Sequence, residues 1–113
     1  MAHTHISELH EVKTAVGEAQ DSMPECADLF AHLEQIVFEP GALNLKQKCL
    51  TAVALAILSR SEACIAYHLQ HLVQQGGTEQ ELSEIMEICV YMGGAPILAL
   101  THRLLDDFRK LVG

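Results

Sequence analysis

Residues 49–77 read CLTAVALAILSRSEACIAYHLQHLVQQGG. The opening CLTAVALAILS is apolar nearly all round and shows no alternation of polar and apolar positions, so it reads as the most buried, central helix of a helical protein. Ser59 with Glu62, or Ser61 itself, supplies an N-cap for the next helix, which runs to Gln75 and stops at Gly76-Gly77.

Working outward, the same punctuation recurs. Upstream, Asn44 with Gln47 three residues on opens the central helix, and Pro40-Gly41 closes the segment before it. Ser22-Met23-Pro24-Glu25 offers a cap, a first-turn proline and a capping-box glutamate for a helix expected to bury Leu29, Phe30, Leu33 and Val37. A first helix over about 7–20 aligns Leu9, Val12, Val16 and Ala19 in a weakly apolar stripe. Downstream, Thr78-Glu79-Gln80-Glu81 is another capping box, and its helix carries Leu82, Ile85, Met86, Cys89 and Val90 up to Gly93-Gly94. A final helix starts near Pro96 and shows Ile97, Leu100, Leu104, Leu105 and Phe108. The reading is an all-α, single-domain bundle of about six helices.

Composition agrees. Half of the 113 residues are hydrophobic, but only 4% are aromatic and there is no Trp, so the apolar content is mostly Ala, Leu, Ile and Val, a mix that favours packed helices. Fifteen acidic residues against seven basic ones give a formal charge of −8, which repels phosphate backbones and anionic lipid. Neither nucleic acid nor membrane is expected as a partner. The longest apolar run, 52–58, is far short of a membrane span, and the first twenty residues hold no continuous apolar stretch, so the expected location is cytoplasmic. Cys26, Cys49, Cys64 and Cys89 are widely separated and mostly embedded in apolar helical patterns, unlike a secreted disulfide framework.

Chemistry concentrates in SEACIAYHLQH, residues 61–71. At about 100° per residue, Cys64, His68 and His71 fall within about 60° of one another, and Ile65, Leu69, Leu72 and Val73 lie about a quarter turn away. The stripe therefore runs along the edge of the core, where a reactive group meets both a substrate and a shaped wall. Cys64 sits in or just beyond the first turn, where free N–H groups and the helix dipole favour a thiolate, and an imidazole four residues on can exchange its proton. The competing reading is an inert cysteine in a packed helix with two hydrogen-bonded or solvated edge histidines. A metal site would use the same three residues, but one helix seldom presents three ligands at tetrahedral angles, and no carboxylate or C-x-x-C partner stands nearby. No metal or other cofactor is expected. Tyr67 offers a phenolic donor toward the site or a packing surface at a subunit contact. Cys49, Cys26 and Cys89 read as packing residues, Glu62 as a capping residue, and His3, His5 and His10 as a solvated terminal group.

Three pieces in order resemble the carboxymuconolactone decarboxylase and AhpD-like alkylhydroperoxidase family: EPGALNLKQK (39–48), CIAYHLQHLVQQGGTEQEL (64–82) and YMGGAPIL (91–98). The resemblance implies a family core over about 38–110, preceded by a helical extension over about 1–37. In its peroxidase members it implies a C-x-x-C pair, a histidine four residues after the second cysteine, and a glutamate on the preceding helix. Cys64 matches the second cysteine and His68 the histidine, whereas Ser61 stands at the first cysteine and Cys49 at the glutamate. The implied function is a thiol-dependent peroxidase in which Cys64 attacks a hydroperoxide and His68 handles the proton, with His71 or Tyr67 supporting. Because residue 61 is a serine, resolution falls to Cys49, to a cysteine of another subunit, or to an external thiol reductant. Two alternatives stand beside it. One is a non-catalytic oligomeric helical protein that binds a small molecule. The other is a decarboxylase-type lyase acting on a small organic acid, drawing on Arg60, His68, His71 and His102. The resemblance also implies a homotrimer or homohexamer.

Overall fold

The computed structural model describes residues 5–113, with side chains from His10 onward. His3, His5 and Leu9 of the sequence reading lie outside these described side chains. Among the described residues the architecture is six α-helices and no strand: α1 (His5–Ser22), α2 (Pro24–Val37), α3 (Leu45–Ser59), α4 (Glu62–Gln74), α5 (Glu79–Gly93) and α6 (Ala95–Val112).

Local chemistry sets the ends. Asn44 Oδ1 accepts from the Gln47 N–H while Gln47 Oε1 accepts from the Asn44 N–H, both at 2.8 Å, which satisfies two amides at the start of α3. Thr78 and Glu81 repeat this reciprocal cap at α5, at 3.1 and 2.9 Å. At the end of α4 the Gly77 N–H returns to the Leu72 carbonyl and the Gly76 N–H to Val73, a Schellman closure that requires the left-handed φ of 75° at Gly76. Ser61, not Ser59, caps α4; the Ser59 hydroxyl instead donates to the Ala56 carbonyl. The expected Ser22 cap is not formed, because α1 continues through Ser22, whose hydroxyl donates back to the Glu18 carbonyl. Met23 stands at the α2 N-cap without a side-chain bond.

Among the described residues every buried apolar side chain comes from α3 to α6, including Val53 and Ile57, Ile65 and Leu69, Leu82 and Met86, and Ile97 and Leu104. Truncating a fully enclosed member such as Leu69→Ala is expected to cost about 2–5 kcal/mol. The central helix α3 is not enclosed all round, since Leu55 on its outer side is 64% exposed.

Helix α1 packs along α4 and touches α6, and α2 packs on α1. The expectation that α2 buries an apolar face is therefore corrected. Leu29, Phe30, Leu33 and Val37 are 71, 69, 52 and 51% exposed, and α2 has no buried residue. Cys26, expected to pack, is exposed on the same helix. The stripe reads as amphipathic in sequence because it is, but the chain turns that stripe outward.

Candidate functional site

The site is assembled on α4. Ser61 Oγ accepts the Cys64 backbone N–H at 3.3 Å, so the serine stabilises the first turn and places Cys64 at its exposed end. One turn on, His68 is half-buried, and its Nδ1 is enclosed without a hydrogen-bond partner among the described residues. Burial, and then the neighbouring His71, push the His68 pKa down, with Glu34 pulling weakly the other way. The imidazole is thus kept in the neutral, proton-accepting form. The predicted edge stripe is present: Ile65, Leu69 and Leu72 are buried beside the partly exposed His68 and His71.

A second set of contacts comes from α2 and the residue that follows it. Phe38 stacks on His68 with ring centroids 5.9 Å apart and meets His71 edge-on at 6.1 Å. The Tyr67 hydroxyl donates to Glu34 Oε1 at 2.5 Å, and His71 Nε2 lies 4.0 Å from the same oxygen. Burial first, and the Glu34 carboxylate second, drive the Tyr67 pKa above the ordinary phenolic range.

Between α2, α3 and α4 runs a groove of about 500 Å³, with Glu34, Phe38, Leu45, Cys49 and His71 in its walls. Cys49 is 1% exposed, and burial pushes its thiol pKa up. Cys64 does not line this groove, so the structure gathers Cys49 with His71 and Glu34 while leaving Cys64 on the open side of α4. All four cysteines are free thiols. No group of three or more His, Cys, Asp or Glu side chains is arranged to hold a metal among the described residues.

Among the described residues no lysine or arginine lines the groove. Lys48 Nζ donates to the carbonyls of Val37 and Glu39 at 2.9 and 2.6 Å, and Arg103 pairs with Glu62 at 2.6 Å across α6 and α4. Arg60, at the left-handed end of α3, and His102, on α6, are exposed.

Sequence reasoning missed Glu34 and Phe38. A four-residue spacing puts this carboxylate and ring on one side of the end of α2, but nothing in the sequence names the helix they meet, some thirty residues on.

The sequence profile of the carboxymuconolactone decarboxylase family matches residues 24–106. The chain belongs to that family. A carboxymuconolactone decarboxylase family protein from Legionella pneumophila has the same fold, with a TM-score of 0.91 and 33% identity over 96% of this chain and 97% of its own. A family protein from Thermotoga maritima, conjecturally linked to antioxidative response, superposes with a TM-score of 0.76 at 26% identity over 92% of each chain. An uncharacterised protein of Cupriavidus necator is 29% identical over 108 residues, 96% of this chain and 93% of its own. No helix among the described residues of this carboxymuconolactone decarboxylase family protein is long and apolar enough to cross a membrane.

Proposed function

We propose that the protein is a thiol-dependent peroxidase in which Cys64 reduces a hydroperoxide and His68 is the proton partner. The observation that carries this reading is a neutral, half-buried imidazole with an enclosed, unpartnered nitrogen, one helical turn from an exposed cysteine in the first turn of α4. Residues four apart on a helix lie with their Cβ atoms about 5–6 Å apart, so a rotamer change brings the two side chains together.

In the proposed cycle His68 takes the thiol proton and the sulfur attacks the terminal peroxide oxygen. The S–O bond forms as the O–O bond breaks, and the proton returns to the departing alkoxide, leaving an alcohol and a sulfenic acid. Ser61 is spent as a helix cap and carries no thiol, so a low-molecular-weight thiol is assigned the resolving role. It condenses with the sulfenic acid to a mixed disulfide and releases water. A second thiol then frees Cys64 and leaves as the oxidised disulfide. The wide spacing of the four cysteines along the chain supports a reducing, cytoplasmic compartment. Lyase chemistry on a small acid has less support, because among the described residues no lysine or arginine lines the groove to receive a carboxylate.

Self-association belongs to the same reading. The exposed apolar stripe of α2, with Leu29, Phe30, Leu33, Ile36 and Val37, is assigned to contact with further copies of this chain, as in a homotrimer or homohexamer.

The test is the rate at which Cys64 loses its free thiol to an alkyl hydroperoxide in the native protein, in His68→Ala and in the unfolded chain. The reading expects the native rate to exceed the unfolded rate by at least about tenfold and His68→Ala to remove most of that gain. Equal rates in the native and unfolded chains would refute it.

A further inference from the structure

Glu34 is separated from α4 by the whole of α3, yet it organises three side chains there. Its Oε1 accepts the Tyr67 hydroxyl at 2.5 Å and lies 4.0 Å from His71 Nε2. The Tyr67 ring packs edge-on against His68, with centroids 5.2 Å apart and planes at 82°, and tilts against His71 at 4.7 Å. Phe38, one turn after Glu34, covers the face of His68. Phe38 also packs against the edge of the core, whereas α2 itself buries no residue, so the Glu34 contacts stand outside the core.

We propose that Glu34 is a positioning residue: through Tyr67 and His71 it fixes the orientation and the charge balance of His68 without touching the thiol. The proposal deepens the peroxidase reading and takes from it the role of His68.

Two effects follow from one carboxylate. By holding the Tyr67 hydroxyl, Glu34 fixes the ring that forms one wall of the His68 site. By its charge, it favours the protonated form of His68, against burial and the neighbouring His71 ring, whose centroid is 6.2 Å away. The other titratable groups nearby are occupied or remote in effect. Lys48 of α3 is bound to main-chain carbonyls, Cys49 of α3 sits in the groove wall, and Arg103 of α6 is paired with Glu62 of α4. On α1, which packs along α4, His10, Glu11, Lys13 and Glu18 are exposed, and Cys64 lies exposed on the stripe itself.

The deciding experiment is an NMR titration of the His68 ring in the wild type, Glu34→Gln, Glu34→Asp and Tyr67→Phe, beside the rate of Cys64 oxidation by an alkyl hydroperoxide. Removing the carboxylate withdraws stabilisation from the His68 imidazolium, so the His68 titration moves to lower pH in Glu34→Gln. Glu34→Asp, which keeps the charge, restores part of the shift. Tyr67→Phe keeps the charge but frees the ring, so it alters the His68 ring chemical shifts with a smaller change in titration. Where the thiol reacts, Glu34→Gln slows it by about tenfold, equivalent to about 1.4 kcal/mol. A His68 titration that stays in place in Glu34→Gln overturns the proposal, as does a moved titration with an unaltered rate. A thiol that proves unreactive in the wild type sinks the peroxidase reading alone, because the titration still decides the positioning role.

Discussion

The Tyr67 hydroxyl and the Glu34 carboxylate, 33 residues apart in sequence, meet at 2.5 Å and join α4 to a helix that contributes nothing to the core. Together with the Lys48 ammonium on two carbonyls that flank Phe38, this bond fastens α2 to the rest of the chain by polar contacts.

Cutting the bond with Tyr67→Phe is expected to cost about 1 kcal/mol, because the acceptor is charged but keeps access to water. For a chain of this size that lowers the melting temperature by about 4 °C. The more telling readout is amide hydrogen exchange, which should quicken along α2 while the amides of α3 keep their protection. Unchanged exchange in α2 would show that the attachment lies elsewhere.

Acid should weaken the fold through His68. Its folded pKa is depressed, mainly by burial, so just below the unfolded value of about 6.5 the unfolded chain binds more protons than the folded one. Stability from this group is complete above that pH and is lost as the pH falls through the window down to the folded pKa. Urea midpoints measured across pH 5 to 8 should decline on the acid side, and His68→Gln should flatten that decline. The opposite slope would mean that the imidazole is protonated in the folded protein.

Alkali should act through Tyr67. Its folded pKa is raised, so above about pH 10 the unfolded chain ionises first and stability falls with rising pH. Tyr67→Phe should remove that part of the alkaline loss, as read by denaturant midpoints between pH 9 and 11.

Position 61 separates structure from chemistry. Ser61→Ala loses the cap on the Cys64 amide and should cost about 1 kcal/mol in an equilibrium unfolding experiment. Ser61→Cys places a second thiol three residues before Cys64. After one equivalent of peroxide, intact mass should show the loss of two hydrogens in that variant and the gain of one oxygen in the wild type. A persistent oxygen adduct in Ser61→Cys would show that this helix end keeps the two side chains apart.

The outward stripe of α2 makes a prediction about assembly. Phe30→Asp puts a charge where the ring is 69% exposed in the isolated chain, so its folding should be little affected. Light scattering should report an oligomer for the wild type and a smaller species for the variant at the same concentration. A monomeric wild type would remove the assembly proposal.

What could be read from sequence was local. The paired caps at Asn44–Gln47 and Thr78–Glu81 and the stop at Gly76-Gly77 involve residues within five positions of one another, and all three are built as expected. The edge stripe of α4 followed from helical geometry alone. Two things did not follow. The hydrophobic pattern of α2 states that one face is apolar but not what covers it, and the chain leaves it bare. Glu34 reads as an ordinary solvent-facing charge, because a bond from residue 34 to residue 67 depends on how helices pack and not on any short spacing. The family resemblance pointed to Cys49 as the place of a glutamate, and that position holds a buried thiol in the groove wall while the carboxylate near the histidines comes from α2.

The four free cysteines divide into two layers, with Cys26 and Cys64 open to solvent and Cys49 and Cys89 shut inside. The protein therefore carries an internal clock for its own opening. A thiol reagent in excess meets the outer pair at once, whereas it reaches Cys49 on α3 and Cys89 on α5 only when the helices that enclose them part. Cys89 holds a further restraint, its thiol donating to the Ala54 carbonyl at 3.6 Å, so its labelling times the separation of α5 from α3.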